Sequence, residues 1–269
     1  MSWEADVETD TAIDNLRREG IYRWPGRAMS DRDVGELNDE LMKSPIFASH
    51  VAAKATESSQ PFLKVATGVN HQWMWPIFSN HMHDLIRAPH WFELALSFYP
   101  MAEAYFDGEF PRLYSLNNFW TAPAETIYTD TQAWHRDGDD RRQLTLFMFG
   151  TDVAAIEDGA HLYQRGTHRI PDDKLGRPFR EDPPQPNGRS IVETVTGPRG
   201  TLMLVDTGGL HKAIPPKTKP RLLFWARYGV SNPPASYAWD SLSPLPRAEI
   251  GDRYPSDPKL QEAIRLVVA

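Results

Sequence analysis

Five short runs rich in β-branched and aromatic residues dominate the middle of the chain. They span residues 112–120, 143–149, 190–196, 201–205 and 221–230, and glycine and proline separate them. Three segments with helical apolar spacing precede them, at residues 10–20, 30–44 and 89–105. Short punctuated strands behind a group of helices predict a mainly β chain with flanking helices, whose core is a double-stranded β-helix (jelly roll, cupin-like).

The length of 269 residues fits a single domain. We expect a helical N-terminal part over about residues 1–107, a jelly-roll core over about 108–230 and a C-terminal extension over 231–269. The segment 171–189 is rich in proline and charge, which predicts a long surface loop of the kind that often closes over a ligand.

The composition narrows the possible classes of function. No apolar run approaches the length of a membrane span, and the acidic N-terminus lacks the apolar stretch of a secretory signal. The chain has no cysteine, so we expect a cytoplasmic protein without disulfides. A net charge of −7 argues against a nucleic-acid partner. The expected partner is therefore a small molecule, without membrane association, and the oligomeric state stays open.

Two histidines and a carboxylate carry the candidate chemistry. Residues two apart on an extended segment share a face, so His135 and Asp137 should point the same way. His211 follows the run 201–205 after a glycine break. Two imidazoles and one carboxylate are the ligand set of non-haem Fe(II) oxygenases, so these three residues are predicted metal ligands. Taken alone, the His-x-Asp tripeptide also occurs by chance.

Arg221 begins the last predicted strand, ten residues after His211. A guanidinium binds a carboxylate through two parallel hydrogen bonds. Arg221 is therefore suited to bind the distal carboxylate of 2-oxoglutarate, although an ordinary surface cation would explain it equally well in isolation.

Three segments resemble the phytanoyl-CoA dioxygenase (PhyH)-like family of Fe(II)/2-oxoglutarate-dependent oxygenases. They are WHRDGDD at 134–140, EDGAHLYQRGTHR at 157–169 and GTLMLVDTGGLHKAIPPKTKPR at 200–221. The resemblance implies His135, Asp137 and His211 as iron ligands and Arg221 as the residue that binds the distal carboxylate. It also implies Fe(II), 2-oxoglutarate and O2 as cofactor and cosubstrates.

Two departures from that family matter. Its members often carry a hydroxyl residue two positions after the distal histidine, where this chain has Ala213. The halogenases of the family replace the carboxylate ligand with a small residue, whereas Asp137 is present here. The resemblance therefore favours hydroxylation or desaturation over halogenation.

Four further residues are predicted to lie near the ligands. In related enzymes the first predicted strand lines the cosubstrate site, so we expect Asn118 to contact the cosubstrate and Trp120 the substrate; a solvent-facing amide would explain Asn118 equally well. On the last strand, Trp225 and Arg227 share a face with Arg221 and are expected to bind substrate. A buried ion pair would account equally well for Arg227.

The expected activity is a dioxygenase that oxidises a small organic substrate, with a secondary metabolite as the favoured kind, and releases succinate and CO2. The alternatives are an acyl-CoA hydroxylase, a cupin-type metal enzyme that does not use 2-oxoglutarate, and a non-catalytic binding protein with a vestigial triad. The histidines at 71, 81, 83 and 90 could also bind a metal, but we expect them to be structural or to line the substrate site. His168 is expected to orient other residues.

Overall fold

The computed structural model describes residues 5–48, 77–123, 131–171, 191–234 and 243–269. Its helices are α1 (Ala5–Glu19), α2 (Asp31–Leu41), α3 (Met82–Arg87), α4 (Trp91–Ser97), α5 (Tyr99–Tyr105) and α6 (Pro258–Ile264). Its strands are β1 (Ile21–Arg27), β2 (Ile46–Ala48), β3 (Ile77–Asn80), β4 (Arg112–Thr121), β5 (Gln143–Phe149), β6 (His161–Gln164), β7 (Val192–Val195), β8 (Thr201–Val205), β9 (His211–Ala213) and β10 (Arg221–Gly229). Within these ranges, no helix has the length and apolar character needed to cross a membrane.

The helices lie mostly where the apolar spacing predicts them. Helix α2 begins after Ser30, whose hydroxyl accepts a hydrogen bond from the backbone N–H of Asp33, as expected of an N-cap. The predicted helix 89–105 is wrong in one respect, because the structure divides it into α4 and α5. Pro100 lacks an N–H and cannot bond to the carbonyl of Leu96, so a regular helix does not continue through it.

The strands form two antiparallel sheets. The larger sheet has seven strands in the order β1-β8-β5-β10-β4-β3-β2, and the smaller has three in the order β7-β6-β9. The predicted strands 143–149 and 201–205 are confirmed at their bounds, and 112–120 and 221–230 are confirmed within one residue. The two-sheet arrangement confirms the predicted double-stranded β-helix.

Each face of the large sheet is covered by a different layer. On β10, Phe224 and Ala226 belong to the core under the helices, whereas Leu223 and Trp225 belong to a second core that faces the small sheet. All seven residues of β5 are buried, as expected of a strand with both faces covered. The space between the two sheets is therefore lined by every second residue of the large sheet.

Candidate metal centre

Three side chains converge between the two sheets. Nε2 of His135 lies 3.5 Å from Oδ1 of Asp137, and Nε2 of His211 lies 3.8 Å from the same oxygen. The three candidate ligand atoms all lie within 4.8 Å of one another. The structure thus brings together the three residues that the sequence nominates, although they come from two distant segments.

Backbone hydrogen bonds fix these two segments against each other. The N–H of His135 donates to the carbonyl of His211 and the N–H of His211 donates to the carbonyl of His135, each at 3.0 Å. The N–H of Asp137 donates to the carbonyl of Thr207 at 2.9 Å. The predicted extended segment around His135 is thus an isolated bridge to β9 rather than a full strand.

The same loops set the orientation of both imidazoles. Nδ1 of His135 lies 2.8 Å from the carbonyl of Ala133, and Nδ1 of His211 lies 2.9 Å from the carbonyl of Gly209. A carbonyl only accepts hydrogen bonds, so each Nδ1 carries the proton and donates it. Each Nε2 is then left with a lone pair, which is the form in which histidine binds a metal.

The electrostatic surroundings keep the third side chain ionised. Burial raises the pKa of Asp137, but the neighbouring His211, Arg227 and His135 and a hydrogen bond from Thr207 outweigh burial, so the pKa lies below its ordinary value. Burial and the neighbouring His135 lower the pKa of His211 to about 4. At neutral pH the site therefore offers a carboxylate together with a neutral His211.

Arg227 pairs with the carboxylate from the other side. Its Nη2 lies 3.4 Å from Oδ2 of Asp137, and its Nη1 lies 2.7 Å from Oδ2 of Asp139. The ion pair foreseen as one explanation of Arg227 is thus present. Oδ1 of Asp137 faces the imidazoles while Oδ2 faces the guanidinium. Two imidazoles and one carboxylate that offers a single oxygen are a donor set that fits Fe(II).

A second feature of the cavity is a buried guanidinium. Arg221 is 2% exposed; its Nη1 donates to the carbonyl of Gly159 at 2.8 Å and its Nη2 donates to Oγ1 of Thr121 at 3.3 Å. Its Nε has no hydrogen-bond partner among the residues that the structure describes, and burial lowers the pKa of Arg221 to about 10. In the part of the chain that the structure describes, no carboxylate pairs with it. A buried cation of this kind needs an anionic partner, which a ligand can provide.

Gly159 makes the position of Arg221 possible. Its φ is +104°, a region that favours glycine, and a Cβ built there would lie 2.7 Å from Cδ of Arg221. This glycine belongs to the segment 157–169, the second of the three that resemble the PhyH-like family. That segment therefore helps to position the guanidinium.

The triad and the buried guanidinium line one cavity. Its lining residues are Phe119, Thr131, His135, Asp137, Phe147, His161, His211, Ala213, Arg221, Leu223, Trp225 and Arg227. Trp225 and Arg227 therefore lie where the alternation of the last strand predicts them. The aromatic and aliphatic members give the cavity a largely apolar wall, which favours the exclusion of water from charged groups inside.

Asn118 and Trp120 are corrections, because the structure places both on the opposite face of β4. Asn118 lies directly across from Phe224, on the helix side of the sheet. Its amide nitrogen donates to Oδ1 of Asn80 at 2.8 Å, and the indole N–H of Trp120 donates to the same oxygen at 3.2 Å. The polar groups of both side chains are thus hydrogen-bonded on the helix side of the sheet, away from the cavity. Phe119, on the other face of the strand, lines the cavity instead.

His161 is a cavity residue that sequence reasoning missed. It opens β6, is 2% exposed, and its Nε2 has no hydrogen-bond partner among the described residues. Burial, reinforced by the nearby charge of His211, lowers the pKa of His161 well below its ordinary value, so the ring is neutral. The only available signal was a histidine at the start of a short strand in the EDGAHLYQ stretch.

The other histidines of the described ranges lie outside this cavity. Nε2 of His83 lies 2.8 Å from the carbonyl of Ser243, and Nε2 of His168 lies 3.2 Å from the carbonyl of Arg17. His90 belongs to a second group that could hold a cation, with Asp33 and Glu36, but both acids are partly or fully exposed.

Two sequence predictions lie outside the described residues. They concern His71 in the histidine-rich stretch and, apart from residue 171, the loop 171–189 as a possible lid. Nothing in the structure bears on them.

Comparisons with known proteins give the same fold. No model of a known protein family matches the chain. No curated protein matches it by sequence either. Solved structures do match: the non-haem alpha ketoglutarate dependent epimerase SnoN from nogalamycin biosynthesis has a TM-score of 0.58 at 20% identity, over 82% of each chain.

Two further structures match in the same way. The non-haem alpha ketoglutarate dependent carbocyclase SnoK from nogalamycin biosynthesis has a TM-score of 0.55 at 16% identity, over 81% of this chain and 83% of SnoK. HygX from Streptomyces hygroscopicus, with nickel and 2-oxoglutarate bound, has a TM-score of 0.51 at 15% identity, over 82% of this chain and 87% of HygX. The chain therefore has the fold on which these enzymes are built.

Proposed function

We propose that this protein is a non-haem Fe(II)/2-oxoglutarate-dependent dioxygenase that hydroxylates or desaturates a small organic molecule. One observation carries the proposal: a single cavity contains both the cluster of His135, Asp137 and His211 and the buried guanidinium of Arg221. Among the described residues, no carboxylate pairs with this guanidinium. The cluster suits the metal, and the guanidinium suits the far end of a dicarboxylate that also reaches the metal.

Each residue has a distinct part in this arrangement. The two imidazoles and Oδ1 of Asp137 hold the metal, and Arg227 holds Oδ2 so that the carboxylate offers a single oxygen. Arg221 binds the distal carboxylate of 2-oxoglutarate. The apolar wall keeps water away, which strengthens both electrostatic contacts.

Bound iron would supply the oxygen chemistry, in which decarboxylation of 2-oxoglutarate to succinate and CO2 is coupled to oxidation of the substrate. The chain's own contribution is to hold, orient and desolvate the reactants. Because Asp137 keeps its carboxylate, no coordination position is left open for a halide ion. This favours hydroxylation or desaturation over halogenation.

The substrate that we propose is a secondary metabolite. The neighbouring structures include SnoN in complex with nogalamycin RO and HygX in complex with hygromycin B. Trp225 and Phe119 form an aromatic edge-to-face pair with ring centroids 4.1 Å apart in the cavity wall, which suits an organic ring system. We further propose membership of the PhyH-like family, on the strength of the three sequence segments that resemble it.

The proposal is tested with metal-free protein reconstituted anaerobically with Fe(II). We expect one ferrous ion per chain, and a visible absorption band that forms only when 2-oxoglutarate is added. Admission of oxygen should then yield succinate even without the substrate, at a slow uncoupled rate.

The matched control is His83→Ala, which changes a histidine outside the cavity and should behave like the parent protein. Tight iron binding without any response to 2-oxoglutarate would favour a cupin-type metal enzyme that uses no oxo acid. Absence of iron binding would favour a non-catalytic binding protein.

A further inference from the structure

His161 has a buried polar atom that no described residue contacts through a hydrogen bond. Its Nε2 lacks a hydrogen-bond partner among the described residues, although the ring is 2% exposed and lines the cavity. A buried polar atom without a partner is costly, so a ligand that forms a hydrogen bond there would gain more than an average contact. His161 is not one of the three clustered metal-binding side chains.

The neighbours of His161 place it between the metal cluster and the guanidinium. Its ring stacks on that of His211, with centroids 5.7 Å apart and an interplanar angle of 25°. The carbonyl of Gly159, two residues earlier in the chain, accepts the hydrogen bond from Nη1 of Arg221, and Arg221 lines the same cavity. A dicarboxylate that reaches from the metal to Arg221 therefore passes the imidazole of His161.

The pairing of β6 with β9 also supports a role for His161 in the cavity. His161 on β6 lies directly opposite Ala213 on β9, and both residues line the cavity. Residues paired in this way have Cβ atoms about 5 Å apart on the same face of the sheet. Because Ala213 carries only a methyl group, His161 is the polar side chain at this point of the wall.

We propose that His161 donates a hydrogen bond from Nε2 to the distal carboxylate of 2-oxoglutarate, beside the guanidinium of Arg221. The inference rests on the proposed function. The imidazole acts as a neutral donor that fixes the cosubstrate, and no proton is transferred.

The test measures cosubstrate binding without turnover, by calorimetric titration of the nickel-loaded protein. His161→Leu removes the donor and keeps an apolar side chain of moderate size. The dissociation constant for 2-oxoglutarate should rise at least about tenfold, as expected for a lost hydrogen bond to a charged group. For 2-oxobutyrate, which keeps the oxo-acid end and lacks the distal carboxylate, the constant should change by less than about threefold.

His161→Gln is the conservative variant, because its amide N–H can reach a similar position. It should bind 2-oxoglutarate within about threefold of the parent protein. Equal binding by the parent protein and His161→Leu would overturn the role of His161. Equal losses for 2-oxoglutarate and 2-oxobutyrate, or a glutamine variant as weak as the leucine variant, would also overturn the proposed contact.

The same titrations distinguish a failure of the proposed function from a failure of the proposed role of His161. If the nickel-loaded parent protein binds no 2-oxoglutarate, the proposed function fails and the role of His161 fails with it. A second outcome is that the parent protein binds 2-oxoglutarate, Arg221→Met weakens this binding, and His161→Leu leaves it unchanged. In that case the proposed function stands and only the role of His161 is refuted.

Discussion

Asp137 and Arg227 form a partly buried ion pair in which Nη2 of the arginine lies 3.4 Å from Oδ2 of the carboxylate. Both imidazoles approach the other oxygen, Oδ1. One carboxylate is thus divided between a protein cation and the proposed metal. The guanidinium keeps the carboxylate ionised and also adds positive charge near the place where the metal binds.

Arg227→Met should make metal binding more dependent on pH. Without the guanidinium the pKa of Asp137 rises, so protons compete better with the metal as the pH falls. Where the carboxylate is fully ionised, loss of a nearby positive charge should instead strengthen binding. Nickel affinity of the variant, measured by competition with a chelator from about pH 5.5 to about pH 8, should therefore change more steeply than that of the parent.

Arg141→Met is the control, since Arg141 lies on the surface and pairs with Glu109. Its affinity profile should match that of the parent. Parallel profiles for Arg227→Met and the parent protein would show that Arg227 does not govern the ionisation of Asp137.

Replacing any member of the triad by alanine should abolish stoichiometric iron binding. This applies to His135→Ala, Asp137→Ala and His211→Ala, because a metal held on one face by three ligands loses most of its affinity with two. Iron content after anaerobic reconstitution and gel filtration measures the effect. Stoichiometric iron in any one of the three variants would remove that residue from the proposed ligand set.

Arg221→Met should weaken the binding of 2-oxoglutarate far more than it weakens the binding of the metal. The proposed contact is a charge-assisted, two-pronged hydrogen bond, so about 2–3 kcal/mol of binding free energy should be lost, or roughly a hundredfold in the dissociation constant. Calorimetry with nickel-loaded protein gives both constants. An unchanged affinity for 2-oxoglutarate would transfer the role to another cation of the cavity, and Arg227 is the next candidate.

The metal-free protein should lose stability as the pH falls through the range from 6.5 to about 4. The pKa of His211 is lowered from 6.5 to about 4 by burial, so within this range the unfolded chain takes up a proton that the folded chain does not. The free energy of unfolding should fall by on the order of 3 kcal/mol. Urea unfolding at about pH 7.5 and about pH 4.5, with chelator present, measures the change.

His161→Leu should show a smaller pH dependence, because the pKa of the buried His161 is also lowered and the variant removes this second titrating group. Equal free energies of unfolding at the two pH values in the parent protein would contradict the buried, neutral state of these histidines.

Part of the site was predictable because it depends on short-range geometry. The two-residue period of an extended chain places His135 and Asp137 on one face, and the same alternation places Trp225 and Arg227 with Arg221. The strands 143–149 and 201–205 were predictable because glycine, charge and apolar content change sharply at their ends.

The errors arose where both faces of a strand are buried. Seven of the ten residues of β4 are buried, so the polar and apolar pattern does not reveal which face meets the cavity, and Asn118 and Trp120 were assigned to the wrong one. His161 was missed for another reason. Its place in the cavity depends on the register of β6 with β9, and a four-residue strand carries too little sequence pattern to fix that register.

A crystal structure of the protein grown anaerobically with nickel and 2-oxoglutarate would show whether the three clustered side chains bind a metal and Arg221 binds the oxo acid. We predict a metal ion bound by Nε2 of His135, Nε2 of His211 and Oδ1 of Asp137, with the distal carboxylate of 2-oxoglutarate on the guanidinium of Arg221. Nickel at the group formed by Asp33, Glu36 and His90 instead, or 2-oxoglutarate bound away from Arg221, would contradict the account.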